Sequence, residues 1–244
     1  MPDAAARRPD VGQPRQSVDR QQAASESRWG DFVTILARRL GGDFRDANWR
    51  GVIRRLHRNI VMSTSTDDAS FWWGERALNG LFTAAFHREQ DWSVPEPMAR
   101  GHLATRVVRP DMWFGFGGVR DGWFTLEAKI SWPRRVRPGA VMQRLGVAEQ
   151  QLRNLGDDFR TGSPLAACWV VPRSARHQMR RPDGNEFVVE HANALWQHLR
   201  EAGHDQQSLV VAMAPEGPVH NNGREFYPGV ILCIWNRTGI WVGG

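Results

Sequence analysis

The stretch Trp123–Ile130, W-F-T-L-E-A-K-I, commits the middle of this chain to a β-strand with two chemically different faces. Successive side chains of an extended strand point to opposite sides. Phe124, Leu126, Ala128 and Ile130 therefore share one face, and Thr125, Glu127 and Lys129 share the other. An apolar strand face has to be covered, which calls for a sheet in a layered domain. Upstream, W-F-G-F-G-G-V at 113–119 reads as the antiparallel partner, joined through a glycine-rich turn. Register then decides what the polar face can do. A two-residue turn at Asp121-Gly122 pairs residues whose numbers sum to 243 and sends Asp111 to the side opposite Glu127. A wider loop over 117–121 gives a sum of 238 and sets Asp111 directly across from Glu127, since 111 + 127 = 238. The wider loop is expected, or a bulge at Gly115, Gly117 or Gly118.

Lys129 is the only lysine among 244 residues, and the other 31 of the 32 basic side chains are arginines. This excludes several function classes. A phosphate-binding loop of the G-x-x-x-x-G-K type needs glycine before its lysine, whereas Lys129 follows Ala128. The kinase V-A-I-K pattern fails at the same place. A Schiff-base mechanism has only this amine, apart from the chain terminus. Cys168 and Cys233 lie in separate apolar runs, which suggests neither a disulfide framework nor a zinc knuckle and suits a reducing compartment. The N-terminal stretch has no apolar core of a signal peptide, and no apolar run approaches 18 residues. The expected location is cytoplasmic, without a membrane partner.

Along the chain, residues 1–27 lack hydrophobic periodicity and balance four arginines against four acids, which reads as a disordered tail. Residues 28–62 read as a basic helical appendage of two helices separated by Gly41-Gly42. The second puts Trp49, Val52, Ile53, Leu56 and Ile60 on one face, with Arg50, Arg54, Arg55 and Arg58 mostly elsewhere. Residues 63–244 form the α/β domain, with its core at about 70–215. A polar linker with good N-cap residues leads into a helix over about 71–89, striped by Phe71, Leu78, Leu81, Phe82, Ala85 and Phe86. A proline-rich connection, V-P-E-P, and a short strand near 103–108 precede the hairpin. Helices at 139–155 and 187–202 and strands at 166–172, 208–214 and 229–235 complete the pattern, with a short end strand after a turn at 236–239.

Two carboxylates and an amine converging on one spot suit metal-assisted phosphodiester hydrolysis. Asp and Glu oxygens hold Mg²⁺, which polarises a phosphoryl oxygen and makes water more acidic. A lysine can orient the attacking water and offset developing charge. Pro110-Asp111 followed by Glu127-Ala128-Lys129 resembles the PD-(D/E)xK nuclease superfamily, whose fold is called restriction-endonuclease-like. The resemblance covers roughly residues 70–173. It implies a core of helix, central mixed sheet with hairpin, helix and strand. It further implies Asp111 and Glu127 as catalytic metal ligands and Lys129 as the catalytic amine. Many members add a glutamate from the first core helix. Glu75, on the stripe of Leu78 and Phe82, is the candidate for that ligand, with Glu89 a weaker one. Some members place a glutamine on the helix after the lysine strand. Gln143, Gln150 and Gln151 are available here, and spacing selects none of them.

The expected activity is a Mg²⁺-dependent nuclease, with Mn²⁺ able to substitute, acting on nucleic acid and on DNA before RNA; a homodimer is compatible with this. Arg134, Arg135 and Arg137 follow the lysine strand and are candidates for phosphate contacts, as are Arg54 and Arg58 on the basic helix. Arg173, Arg176, Arg180 and Arg181 follow the next strand. Either cluster reads equally as a solvated loop. For Asp111, Glu127 and Lys129 the competing reading is a solvated strand face carrying an ion pair. The competing function is a non-catalytic nucleic-acid-binding or protein-interaction module on the same scaffold. His191, His198 and His204 lack metal-site spacing. Trp113, Trp123 and Trp132 flank the proposed site, with core packing the stronger reading and base stacking the weaker.

Overall fold

The computed structural model describes residues 47–63, 74–87, 92–95, 99–100, 107–108, 110–116, 123–155, 163–175, 184–204, 207–214, 219–221 and 225–236. The tail, the first helix of the basic segment, the polar linker, Phe71, Glu89, the turn of the hairpin and the end strand lie outside these residues.

Helix α1 (Ala47–Met62) forms where apolar residues recur at helical spacing, and Trp49, Val52, Ile53, Leu56 and Ile60 are all buried. Helix α2 (Glu75–Phe86) starts at Gly74, whose φ of 93° turns the chain into the helix in a conformation that favours glycine. Its stripe of Leu78, Phe82, Ala85 and Phe86 is buried, and Leu81 is packed at the margin.

Strand β1 (Trp92–Pro95) follows, then the two-residue pair β2 (Ala99–Arg100) and β3 (Val107–Val108). Next come β4 (Met112–Gly115), β5 (Trp123–Ser131) and helix α3 (Pro138–Arg153). Strands β6 (Ser163–Val170) and β7 (Ser174–Ala175) precede helix α4 (Gly184–Glu201). The described chain closes with β8 (Ser208–Met213), β9 (Val219–Asn221), β10 (Glu225–Tyr227) and β11 (Val230–Trp235).

Six strands make the central sheet in the order β1-β4-β5-β6-β11-β8. The β5–β6 pair is parallel, with α3 as its crossover, and every other pair is antiparallel. This is a mixed α/β architecture. Among the described residues no helix is long and apolar enough to cross a membrane.

Two strand features depart from the sequence reading. The V-P-E-P segment is not simply a connection, because Trp92–Pro95 pairs with β4 as the edge of the sheet. An edge strand tolerates Pro95, since its missing amide hydrogen is not needed by a second neighbour. A second, three-stranded sheet, β7-β10-β9, was not anticipated, and its strands of two or three residues are too short to show alternation.

The basic helix expected as an appendage shares the core of the sheet. The fully buried Trp49 ring meets Phe86, Phe114, Phe116 and Phe124 edge-on, with centroids 5.6–6.1 Å apart. Arg55 Nε donates to Ala85 O, tying α1 to the end of α2. Trp169 Nε1 donates to Asn79 Oδ1 at 2.8 Å and fastens α2 to β6. Trp49→Ala should therefore lower stability by about 3–5 kcal/mol in urea unfolding, within a single transition. A sheet that unfolded at an unchanged urea concentration would show that α1 contributes nothing to it.

Candidate active site

Strand β5 is nine residues long and β4 only four, so β5 outruns its neighbour. Their pairs are Met112↔Leu126, Trp113↔Thr125, Phe114↔Phe124 and Gly115↔Trp123, and each sums to 238. This is the wide-loop register. Asp111, one residue before the first pair, is placed across from Glu127. Pro110 has no amide hydrogen and cannot continue the ladder.

Alternate amides of a strand point toward the same neighbour, so the N–H groups of Ala128 and Ile130 face the edge that β4 leaves vacant. A buried amide needs an acceptor. Asp111 Oδ2 accepts from Ala128 N at 2.7 Å, and the Glu75 carboxylate takes a backbone hydrogen bond from Ile130. Two carboxylates, one from the β4 end and one from the first turn of α2, thus cap the overhang.

On the polar face, Lys129 Nζ donates to Glu127 Oε1 and to Ala128 O, both at 2.7 Å. The ion pair of the competing reading is present, but its solvation is not: Glu127 is only 7% exposed. Burial pushes the Glu127 carboxyl up to about 7, Asp111 and Glu75 push the same way, and Lys129 opposes them. Burial also raises Glu75, with Asp111 adding to the shift while Lys129, the Ile130 amide and Arg144 oppose it. Both glutamates feel Asp111 and Lys129, and Glu127 also feels Glu75, so the four sequence candidates Asp111, Glu127, Lys129 and Glu75 come together. Among the described residues no three Asp, Glu, His or Cys side chains stand as a ready-formed metal centre. One Asp111 oxygen is engaged by an amide and one Glu127 oxygen by the ammonium.

Arg144 was missed. It lies on α3 beside the buried stripe Val141, Leu145 and Ala148, and its charge acts on Glu75 and on Cys168, which pairs with Lys129 from β6. Gln143, Gln150 and Gln151 are exposed on the same helix. The helical stripe marked which side of α3 faces the sheet, but nothing in the sequence set Arg144 apart from thirty other arginines.

The remaining candidates divide. Arg134, Arg135 and Arg137 are exposed in the connection after β5. Arg134 and Arg173 both approach Glu225 on β10, at 3.6 and 3.4 Å, so the small sheet braces this connection. Arg54 and Arg58 are exposed on α1 and are not among the charges acting on the carboxylates. Arg176, Arg180 and Arg181 lie outside the described residues. His191 bonds Phe187 O within its own helix, and His204 packs on Trp235. The chain matches no protein-family model, no curated protein and no solved structure.

Glu127 provides a test that needs no substrate. Its proton leaves near pH 4.5 in an ordinary setting and near 7 in the fold. Between those values the folded state binds more protons than the unfolded state, so stability falls as pH rises through this window and levels off above it. Glu127→Gln should remove that dependence. At pH 8 it should exceed the wild type by on the order of 1–3 kcal/mol, and at pH 4 the two should converge. A Gln variant less stable at pH 8 would show that the ion pair with Lys129 outweighs the burial of charge.

Proposed function

We propose that this chain is a divalent-metal-dependent nuclease, built on a restriction-endonuclease-like core and acting most readily on DNA. The observation that carries the reading is the register: a sum of 238 that brings Asp111 across from Glu127 on the strand bearing Lys129. Two short, separated sequence motifs would meet in this way only under one of the available pairings.

The donor set fits Mg²⁺. Glu75, Asp111 and Glu127 offer only hard oxygen donors, the chemistry that Mg²⁺ prefers. Among the described residues, Lys129 acts on both glutamates and Arg144 on Glu75, and a divalent cation would add to that compensation. A bound Mg²⁺ would supply Lewis acidity toward a phosphoryl oxygen and make water more acidic. Glu127, with its proton held to about pH 7, is poised to ionise under physiological conditions. Lys129 Nζ, fixed by Glu127 and Ala128 O, can orient a water and offset charge on the phosphoryl oxygens. Arg134, Arg135 and Arg137 offer bidentate phosphate contacts beside the site.

The closed Glu127–Lys129 pair favours a second reading, a non-catalytic nucleic-acid-binding or interaction module on the same scaffold. Cleavage decides between them. Full-length protein with Mg²⁺ or Mn²⁺ should cut at least one of linear, circular and single-stranded DNA or RNA. Asp111→Ala, Glu127→Ala and Lys129→Ala should each lower the rate by about 100-fold or more. Cleavage undiminished in all three would locate the chemistry elsewhere. Binding of nucleic acid without cleavage by the wild type would establish the second reading.

A further inference from the structure

Strands β4 and β5 carry two stacked aromatic pairs, one on each side of the sheet. Phe114 and Phe124 lie directly across from each other, with ring centroids 5.1 Å apart, and both are fully buried in the core with Trp49. One residue along on each strand, Trp113 and Trp123 stack at 5.1 Å and an interplanar angle of 28°, on the side that carries Thr125, Glu127 and Lys129. Trp123 is 39% exposed, whereas Trp49 and Trp169 are fully buried. Trp113 packs against the margin of this core, and Trp123 carries the stack outward to solvent. Gly115, across from Trp123, sets no side chain beside it.

We infer that the Trp113–Trp123 stack is a platform for an unpaired nucleobase, so that the substrate is single-stranded or locally unpaired nucleic acid. The inference rests on the nuclease reading for the identity of the ligand, and on continuity with the site for its place. Trp113 is two residues from Asp111 along β4. Trp123 is four residues from Glu127 along β5, about 13 Å of extended strand. Beyond the carboxylates the same strand leads into exposed Arg134, Arg135 and Arg137. A strand laid along β5 thus meets indoles for a base, then the carboxylates and Lys129 at the scissile phosphate, then guanidinium groups for the next phosphates. Stacking is sequence-tolerant because every base has a π-face. Bases paired inside a duplex have theirs covered, so the platform discriminates by strandedness rather than by sequence.

The test is equilibrium binding of full-length protein in EDTA, where no hydrolysis competes. The probes are a labelled single-stranded DNA oligonucleotide, the same backbone with abasic sites throughout, and the matching duplex. The wild type should bind the intact strand at least about 5-fold tighter than the abasic one. Trp123→Ala should weaken binding of the intact strand by about 5- to 150-fold while leaving the abasic strand and duplex within about 2-fold. Trp123→Phe, which keeps an aromatic face, should stay within about 3-fold of wild type. Equal wild-type affinity for intact and abasic strands would overturn the inference, whether or not the alanine variant folds. A loss in Trp123→Ala shared by both strands would overturn it too. Loss of base-dependent binding with cleavage intact would remove the platform alone. Base-dependent binding without any cleavage in Mg²⁺ would remove the nuclease reading and leave the platform.

Discussion

The unequal lengths of β4 and β5 govern the candidate site. A strand that extends past its neighbour leaves amides that have lost their ladder partners, and burial makes those amides costly unless acceptors arrive. Asp111 and Glu75 are those acceptors. Their carboxylates are held by the backbone of β5, while Glu127 and Lys129 rise from its polar face. The overhang therefore sets the spacing of the acids without any dedicated loop. It also explains why two acids from elements far apart in the chain end beside each other: each answers an amide two residues from the next.

The same arrangement is electrostatically costly, and that cost argues for function. A buried ion pair seldom stabilises a fold compared with apolar packing. Here the Glu127–Lys129 pair is accompanied by two further carboxylates whose charges raise the protonation range of Glu127. A strand whose only task was to complete the sheet would be better served by apolar residues at these positions. The opposite face shows that alternative, where Phe124, Leu126 and Ala128 are fully buried. Perturbed carboxylates clustered at a strand edge are the pattern expected where acid–base or metal chemistry is performed.

Much of this was legible in the sequence because it depended on period. Alternation along 123–130 separated the faces, and the helical stripe through Leu78 and Phe82 put Glu75 near the sheet. Register was legible only as a choice between two loop lengths. The wider one was favoured because it joined Asp111 to Glu127, and the pairs Met112↔Leu126 through Gly115↔Trp123 adopt it. The rest depends on tertiary neighbours. Pro95 obscured β1 as an edge strand, and β7, β9 and β10 are too short to carry a pattern. The α1 stripe was visible, but that it buries Trp49 among rings from α2, β4 and β5 was not. Arg144 has no signature apart from its neighbours in space.

Lys129 and Arg144 divide the positive charge of the site in a way their shapes explain. The Lys129 ammonium has its side chain 82% covered and meets two oxygens of its own strand, Glu127 Oε1 and Ala128 O, each at 2.7 Å. A compact cation on a flexible stem can curl back to do this, whereas a planar guanidinium presents its donors in a fixed fork suited to a carboxylate or phosphate in front of it. Arginine at 129 would keep the charge and lose the curl. Arg144, exposed on α3, acts on Glu75 from outside the buried pair, where a wide and strongly basic group is easily accommodated. In a chain that otherwise uses arginine for every positive charge, the one lysine occupies the position where geometry distinguishes between them.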